Sequence, residues 1–155
     1  MTKEEELLNV IEESSKRGAE HNIEILDQEL IPTLIMLTET DNVLSIKMAA
    51  IVGEKAEMSH MMAKVLFQEQ AKAYAIILEA WCTPFLERAL EYGGKVRDMP
   101  PDDKFEMVNV IMVKREIGIY KYFTAKIATQ RNGSRQVGNW EDGTVQGNSI
   151  VITDW

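Results

Sequence analysis

The chain has 155 residues, 45% hydrophobic and 27% charged, and a formal net charge of −8. This is the profile of one globular domain able to bury its own core, and the acidic balance argues against general nucleic-acid binding. A single cysteine excludes an internal disulfide framework; with no apolar run long enough to span a bilayer and no basic-then-apolar order at the N-terminus, a reducing, cytoplasmic setting is expected.

The first residues predict a helix. Thr2 and Glu5 have capping-box spacing, and Leu7, Leu8, Val10 and Ile11 give it an apolar stripe behind an acidic first turn. Gly18 is expected to break or bend it. A second helical stretch with Ile23, Leu26 and Leu30 then runs to Pro32, whose preceding residue avoids the α region. Two β-type runs, 33–39 and 43–50, flank the turn-forming "ETDN" and predict a hairpin.

Met58, Met61, Met62, Val65 and Leu66 recur at helical spacing, so an amphipathic helix should lie on the sheet, its methionines in the core. "AKAYAIILEAWCTP" (71–84) reads as a strand. Thr83 as N-cap, Pro84 at the first position and Gly93 past the end then frame a short helix. After the loop "GGKVRDMPPDD", a β-meander is expected: two runs about a turn near 116–118, a type I′ turn at Asn132-Gly133, a strand in "SRQVGNW" and an edge strand in "NSIVITDW".

The sum is an α+β fold: an N-terminal helix, a mostly antiparallel sheet of about five to seven strands with β-hairpins, and one amphipathic helix packed on the sheet. A single domain over 1–155 is expected, with a helical arm at 1–31 and an α+β core at 32–155. The N-terminal helix, the "PTLIMLTE" hairpin, the strand ending "EAW" and the late "GSRQVGNWED" together resemble a group of small prokaryotic and phage proteins of uncharacterised function. The resemblance covers much of residues 30–142 and supplies no activity, cofactor or site residue.

Charge is divided along the chain. Residues 1–31 carry three basic and nine acidic groups, a net of −6, whereas 104–139 carry seven basic and two acidic, a net of +5. Within the basic stretch, Lys114, Arg115, Lys121, Lys126, Arg131 and Arg135 are interleaved with Tyr120, Tyr122 and Phe123, and Trp140 follows. Cations beside aromatic faces can hold a nucleic-acid backbone and stack bases, or grip an acidic protein partner; the alternative is a solvated sheet face with charged edges. Strand alternation places Tyr120, Tyr122 and Lys126 on one face and Lys121, Phe123 and Ile127 on the other.

Glu79 is the one carboxylate with a catalytic look. Alternation puts it with Ala75, Ile77 and Trp81, so a buried face would raise its pKa or demand a cationic partner. A catalytic Glu needs a second group and the sequence identifies none, so a structural role is the expectation, either a strand end emerging into solvent or an ion pair. Cys82 has no nearby histidine motif to activate it and reads as an inert thiol. Glu57 and His60 are half of a Glu-x-x-His di-metal motif, but His21 is the only other histidine. Ser45 and Lys47 share a strand face without further support, and Asp98, Asp102 and Asp103 lack the alternation of a calcium loop.

No metal and no cofactor is therefore expected. The favoured reading is a non-enzymatic interaction or regulatory protein, binding a partner or itself as a homodimer through the acidic helix and the basic hairpin. The alternatives are a small enzyme pairing Glu79 with an aspartate of 98–103, and nucleic-acid binding by 114–135. No membrane association is expected.

Overall fold

The computed structural model describes residues 1–27, 30–48, 55–143, 152 and 155. Helix α1 (Lys3–Glu20) opens at the capping box: the Thr2 hydroxyl accepts the Glu5 N–H at 3.1 Å, and the Glu5 carboxylate accepts the Thr2 N–H at 3.4 Å. Its buried face is Leu8, Ile11, Ser15 and Ala19, while Val10, expected in the stripe, points to solvent. Gly18 does not break the helix. It lies on the exposed side of a continuous α1, which widens into a π-helical turn at His21–Ile25 closed by the Leu26 N–H on the His21 carbonyl.

The strands are β1 (Thr33–Thr38), β2 (Val43–Lys47), β3 (Ala71–Cys82), β4 (Phe105–Lys114), β5 (Gly118–Thr129), β6 (Arg135–Val137) and β7 (Glu141–Asp142), with α2 (Lys55–Gln68) and α3 (Leu86–Glu91) between. They form one antiparallel sheet in the order β2-β1-β3-β4-β5-β6, with β7 also on β5. The fold is α+β, as the sequence predicts, with seven strands among the described residues. On one face, Leu8, Ile11, Ala19 and Ile23 pack on Ile35, Leu37, Ala75, Ile77, Val110 and Met112. On the other, Met62 and Leu66 of α2 pack on Leu34, Met36, Tyr74, Ile76 and Ile111. Cover on both faces explains why β1, β3 and β4 read as unbroken apolar runs. The helical segment thus packs as a layer on the sheet.

Of the α2 methionines, Met62 is fully buried and Met58 partly so, but Met61 is exposed because it lies off the stripe of Met62 and Leu66. The Tyr74 hydroxyl donates to the Ile152 carbonyl at 2.7 Å and accepts its N–H at 2.8 Å; burial pushes its pKa up to about 12. Trp155 sets its ring edge-on to Tyr74 and donates to the Ala71 carbonyl. Apart from these two residues, the strand expected in 148–155 lies outside the described residues, as do positions 49 and 50 of the first hairpin.

Two local expectations shift. Thr83 does not cap α3: its hydroxyl accepts the Phe85 N–H at 3.0 Å and donates to the Asp103 carbonyl at 2.6 Å, so the helix starts after Phe85. The other end is as expected, with Gly94 N–H on the Ala89 carbonyl and Gly93 N–H on Leu90, the paired bonds of a Schellman ending. At Asn132-Gly133 only Gly133 has positive φ (85°), so the turn is not type I′; Gly133 N–H closes on Gln130, and the Asn132 side chain holds Ser134.

Candidate functional site

Glu79 sits on β3 just beyond the stretch covered by α1, its side chain 16% exposed. One carboxylate oxygen accepts the Leu30 N–H at 3.2 Å and lies 3.4 Å from the Arg135 guanidinium, which also reaches Glu106 at 3.1 Å. Antiparallel register makes the cluster: Glu106 stands opposite Trp81, and Arg135 opposite Thr129 at the sheet end. Burial pushes the Glu79 carboxyl above its ordinary value; Arg135 and the Leu30 N–H pull back, and the Glu106 charge pushes the same way as burial. Its neighbouring acid is thus Glu106. Asp103 turns instead to Arg88 at 3.0 Å, and Asp98 and Asp102 are exposed. The arrangement ties the segment before β1, β3, β4 and β6 together; it presents a paired carboxylate with no nucleophile beside it among these contacts.

The basic hairpin is engaged with its own chain. Lys121 pairs with Glu12 of α1 at 2.7 Å, Lys16 lies 3.7 Å over the Phe123 ring, Trp140 donates to Glu20 at 2.6 Å, and the Val137 N–H donates to Glu24. Arg115 pairs with Glu39 at 2.7 Å, while Lys114 lies over Tyr120 and Lys126 over Phe105. Arg131 is exposed at the turn. Burial pushes the Glu12 carboxyl up, but the Lys121 hydrogen bond and the charges of Lys16 and Lys121 outweigh it and hold the group below its usual range.

A β-bulge changes which side chains share a face. The register shifts between Met112 and Val113, so Lys121 pairs with Met112 and Ile119 with Val113, leaving Tyr120 as the extra residue. Tyr120 therefore packs in the α1 cluster with Phe123, while Tyr122 packs in the α2 cluster and donates to Asn109 at 3.1 Å. Simple alternation had placed the two tyrosines together. A shallow cavity of about 470 Å³ lies at this edge, lined by Glu12, Lys121, Tyr122 and Asp142 among others.

The other sequence candidates do not converge. Cys82 is half-buried, and burial pushes its thiol up, the direction of an unreactive sulfur. His21 and His60 are exposed, and the Glu57 side chain lies outside the described ones. Ser45 and Lys47 are exposed on the edge strand β2. Among the described residues no group of three acidic, histidine or cysteine side chains is placed to hold a metal, and no helix is long and apolar enough to cross a membrane.

One feature of the surface is absent from the sequence reading. At the end of β3 and along α3, Trp81 (37% exposed), Phe85 (42%), Leu90 (77%) and Tyr92 (37%) face solvent. Lys104 lies 4.5 Å over the Trp81 ring, neighbouring Asp103 pairs with Arg88, and Arg88 lies 4.8 Å over Phe85. This chain of contacts makes Trp81 and Phe85 one connected surface. The clue in the sequence is aromatic density at a strand end followed by Pro84; alternation only grouped Trp81 with Ala75, Ile77 and Glu79 and did not say which face is exposed. Comparison with protein-family models, with curated proteins and with solved structures finds no match.

Proposed function

We propose that the protein acts by binding another macromolecule, as a non-enzymatic interaction module, and that the aromatic end of the sheet is its contact surface. The observation that supports this most is the exposed pair Trp81 and Phe85, each under a cation and joined through Asp103. Aromatic side chains and arginine are the residue types enriched where protein interfaces gain their energy. The acidic helix and basic hairpin remain part of the reading in a different role. Their complementary charges meet within the chain, so they hold the scaffold that presents the aromatic end. A cytoplasmic setting belongs to the same proposal, supported by the single half-buried thiol.

The test is capture of the tagged protein from its native cell beside a Trp81→Ala/Phe85→Ala variant whose circular dichroism matches the parent. The reading expects a stoichiometric macromolecule, a second copy included, that the parent retains and the variant loses. A parent that retains nothing, or a partner held equally by both, contradicts it. A partner lost instead on charge reversal at Lys121 and Arg131, with binding that falls steeply with salt, would move the function to the hairpin and to nucleic acid.

A further inference from the structure

We infer that Asn132 is a site of spontaneous covalent modification: its side-chain amide is lost through attack by the Gly133 nitrogen, and the isoaspartate that results draws Arg135 away from Glu79 and Glu106. Of the seven asparagines in the chain, Asn132 is the one followed by glycine; the others precede Val, Ile, Trp or Ser. Arg131, Asn132 and Gly133 are all exposed, and a Cβ at Gly133 meets nothing within 4 Å, so water reaches this turn. Asn132 Oδ1 accepts the Ser134 N–H at 3.0 Å and the Ser134 hydroxyl at 2.7 Å, which folds the side chain forward along the Gly133 peptide. Between Lys126 and Glu141 the only charged residues are Arg131 and Arg135, and positive charge favours the anionic nitrogen and the tetrahedral oxyanion.

The reaction needs water and no other reactant. The Gly133 nitrogen, its proton passed to solvent, bonds to Cγ of Asn132; the Cγ–Nδ2 bond breaks and ammonia leaves, closing a five-membered succinimide. Water then opens the ring. Hydrolysis at Cγ breaks its bond to the Gly133 nitrogen and leaves aspartate on the original main chain, where its charge strengthens both bonds from Ser134. Hydrolysis at the main-chain carbonyl carbon leaves isoaspartate, whose chain runs through Cβ and Cγ and is one carbon longer. The turn is closed by Gln130 N–H on the Ser134 carbonyl at 2.7 Å and Gly133 N–H on the Gln130 carbonyl at 2.9 Å. These bonds restrain the reaction, so conversion proceeds as the turn opens, and the longer chain then cannot close it. Turn length fixes hairpin register. Strand β6 has only three residues, with Arg135 opposite Thr129 beside the turn, so the residue bridging Glu79 and Glu106 is the first displaced.

The experiment is peptide mapping by mass spectrometry on folded protein held at mildly alkaline pH, for the parent, Ser134→Ala and Arg135→Ala, each shown to be folded by circular dichroism. The Asn132 peptide should gain the mass of hydroxyl replacing amide, in two chromatographically distinct products, at least about tenfold faster than any other asparagine. Ser134→Ala, with one restraint gone, should convert about two- to tenfold faster than the parent. The separated isoaspartate form should melt below the unconverted protein, and the same conversion in Arg135→Ala should leave the midpoint nearly unchanged, because the bridge is already absent. An Asn132 that stays intact, or converts no faster than the other asparagines, overturns the site. Ser134→Ala that converts no faster overturns the control by the turn. An isoaspartate form that melts with the parent, or an equal fall in Arg135→Ala, overturns the displacement of Arg135.

Discussion

Arg135 holds two carboxylates that would otherwise repel each other at a half-buried sheet end, Glu79 at 3.4 Å and Glu106 at 3.1 Å. Arg135→Ala should cost about 1–3 kcal/mol at neutral pH, because it leaves charge unpaired where water is partly excluded. Glu79, raised by burial, takes up a proton more readily folded than unfolded, so acid relieves its unpaired charge and the deficit should narrow as pH falls toward 4.5. Glu12 has the opposite sign. Its folded pKa is lowered, so its contribution is present above the ordinary 4.5 and lost as pH falls through the lowered value. Glu12→Gln should therefore lower stability by about 0.5–1 kcal/mol at neutral pH, screened by water at the partly exposed Lys121, and match the parent in acid. Urea unfolding at several pH values reads both. Alternation offered a cation beside Glu79 as one option should its face be buried; that the face is half-buried and that Arg135, 56 residues away, supplies the cation depends on strand order, which no local pattern encodes.

At the scale of elements, what the sequence reveals is what is decided locally. The Thr2–Glu5 cap, the β1–β2 turn and the double-glycine end of α3 each depend on residues within one turn of chain, and each forms as expected. The misreadings arise where a distant partner intervenes. Thr83 is drawn to the Asp103 carbonyl, and the bulge opposite Met112 puts Tyr120 and Tyr122 on opposite faces. Gly18 is a third kind of case: its sequence signal was a helix break, yet the buried Ile11, Ser15, Ala19 and Ile23 carry the helix past it. A Cβ at Gly18 meets nothing within 4 Å. Gly18→Ala should accordingly stabilise the protein by about 0.5–1 kcal/mol, seen as a raised thermal midpoint; a lowered midpoint would mean that the helix needs the glycine.

Over the whole molecule, the division into an acidic helix and a basic hairpin is resolved inside one chain, through Glu12–Lys121, Glu20–Trp140 and Glu24–Val137. The sequence announced complementary surfaces but not whether they meet within a copy or between copies, because charge runs carry no topology. With that pairing internal, the aromatic end is the surface on which the account stands. Hydroxyl-radical footprinting, read by mass spectrometry on the protein alone and with its captured partner, a second copy included, tests this most directly. The account predicts that Trp81, Phe85, Leu90 and Tyr92 are labelled in the free protein and protected once the partner is bound, with labelling of 114–135 unchanged. Protection of the hairpin in their place, or labelling indifferent to the partner, would contradict it.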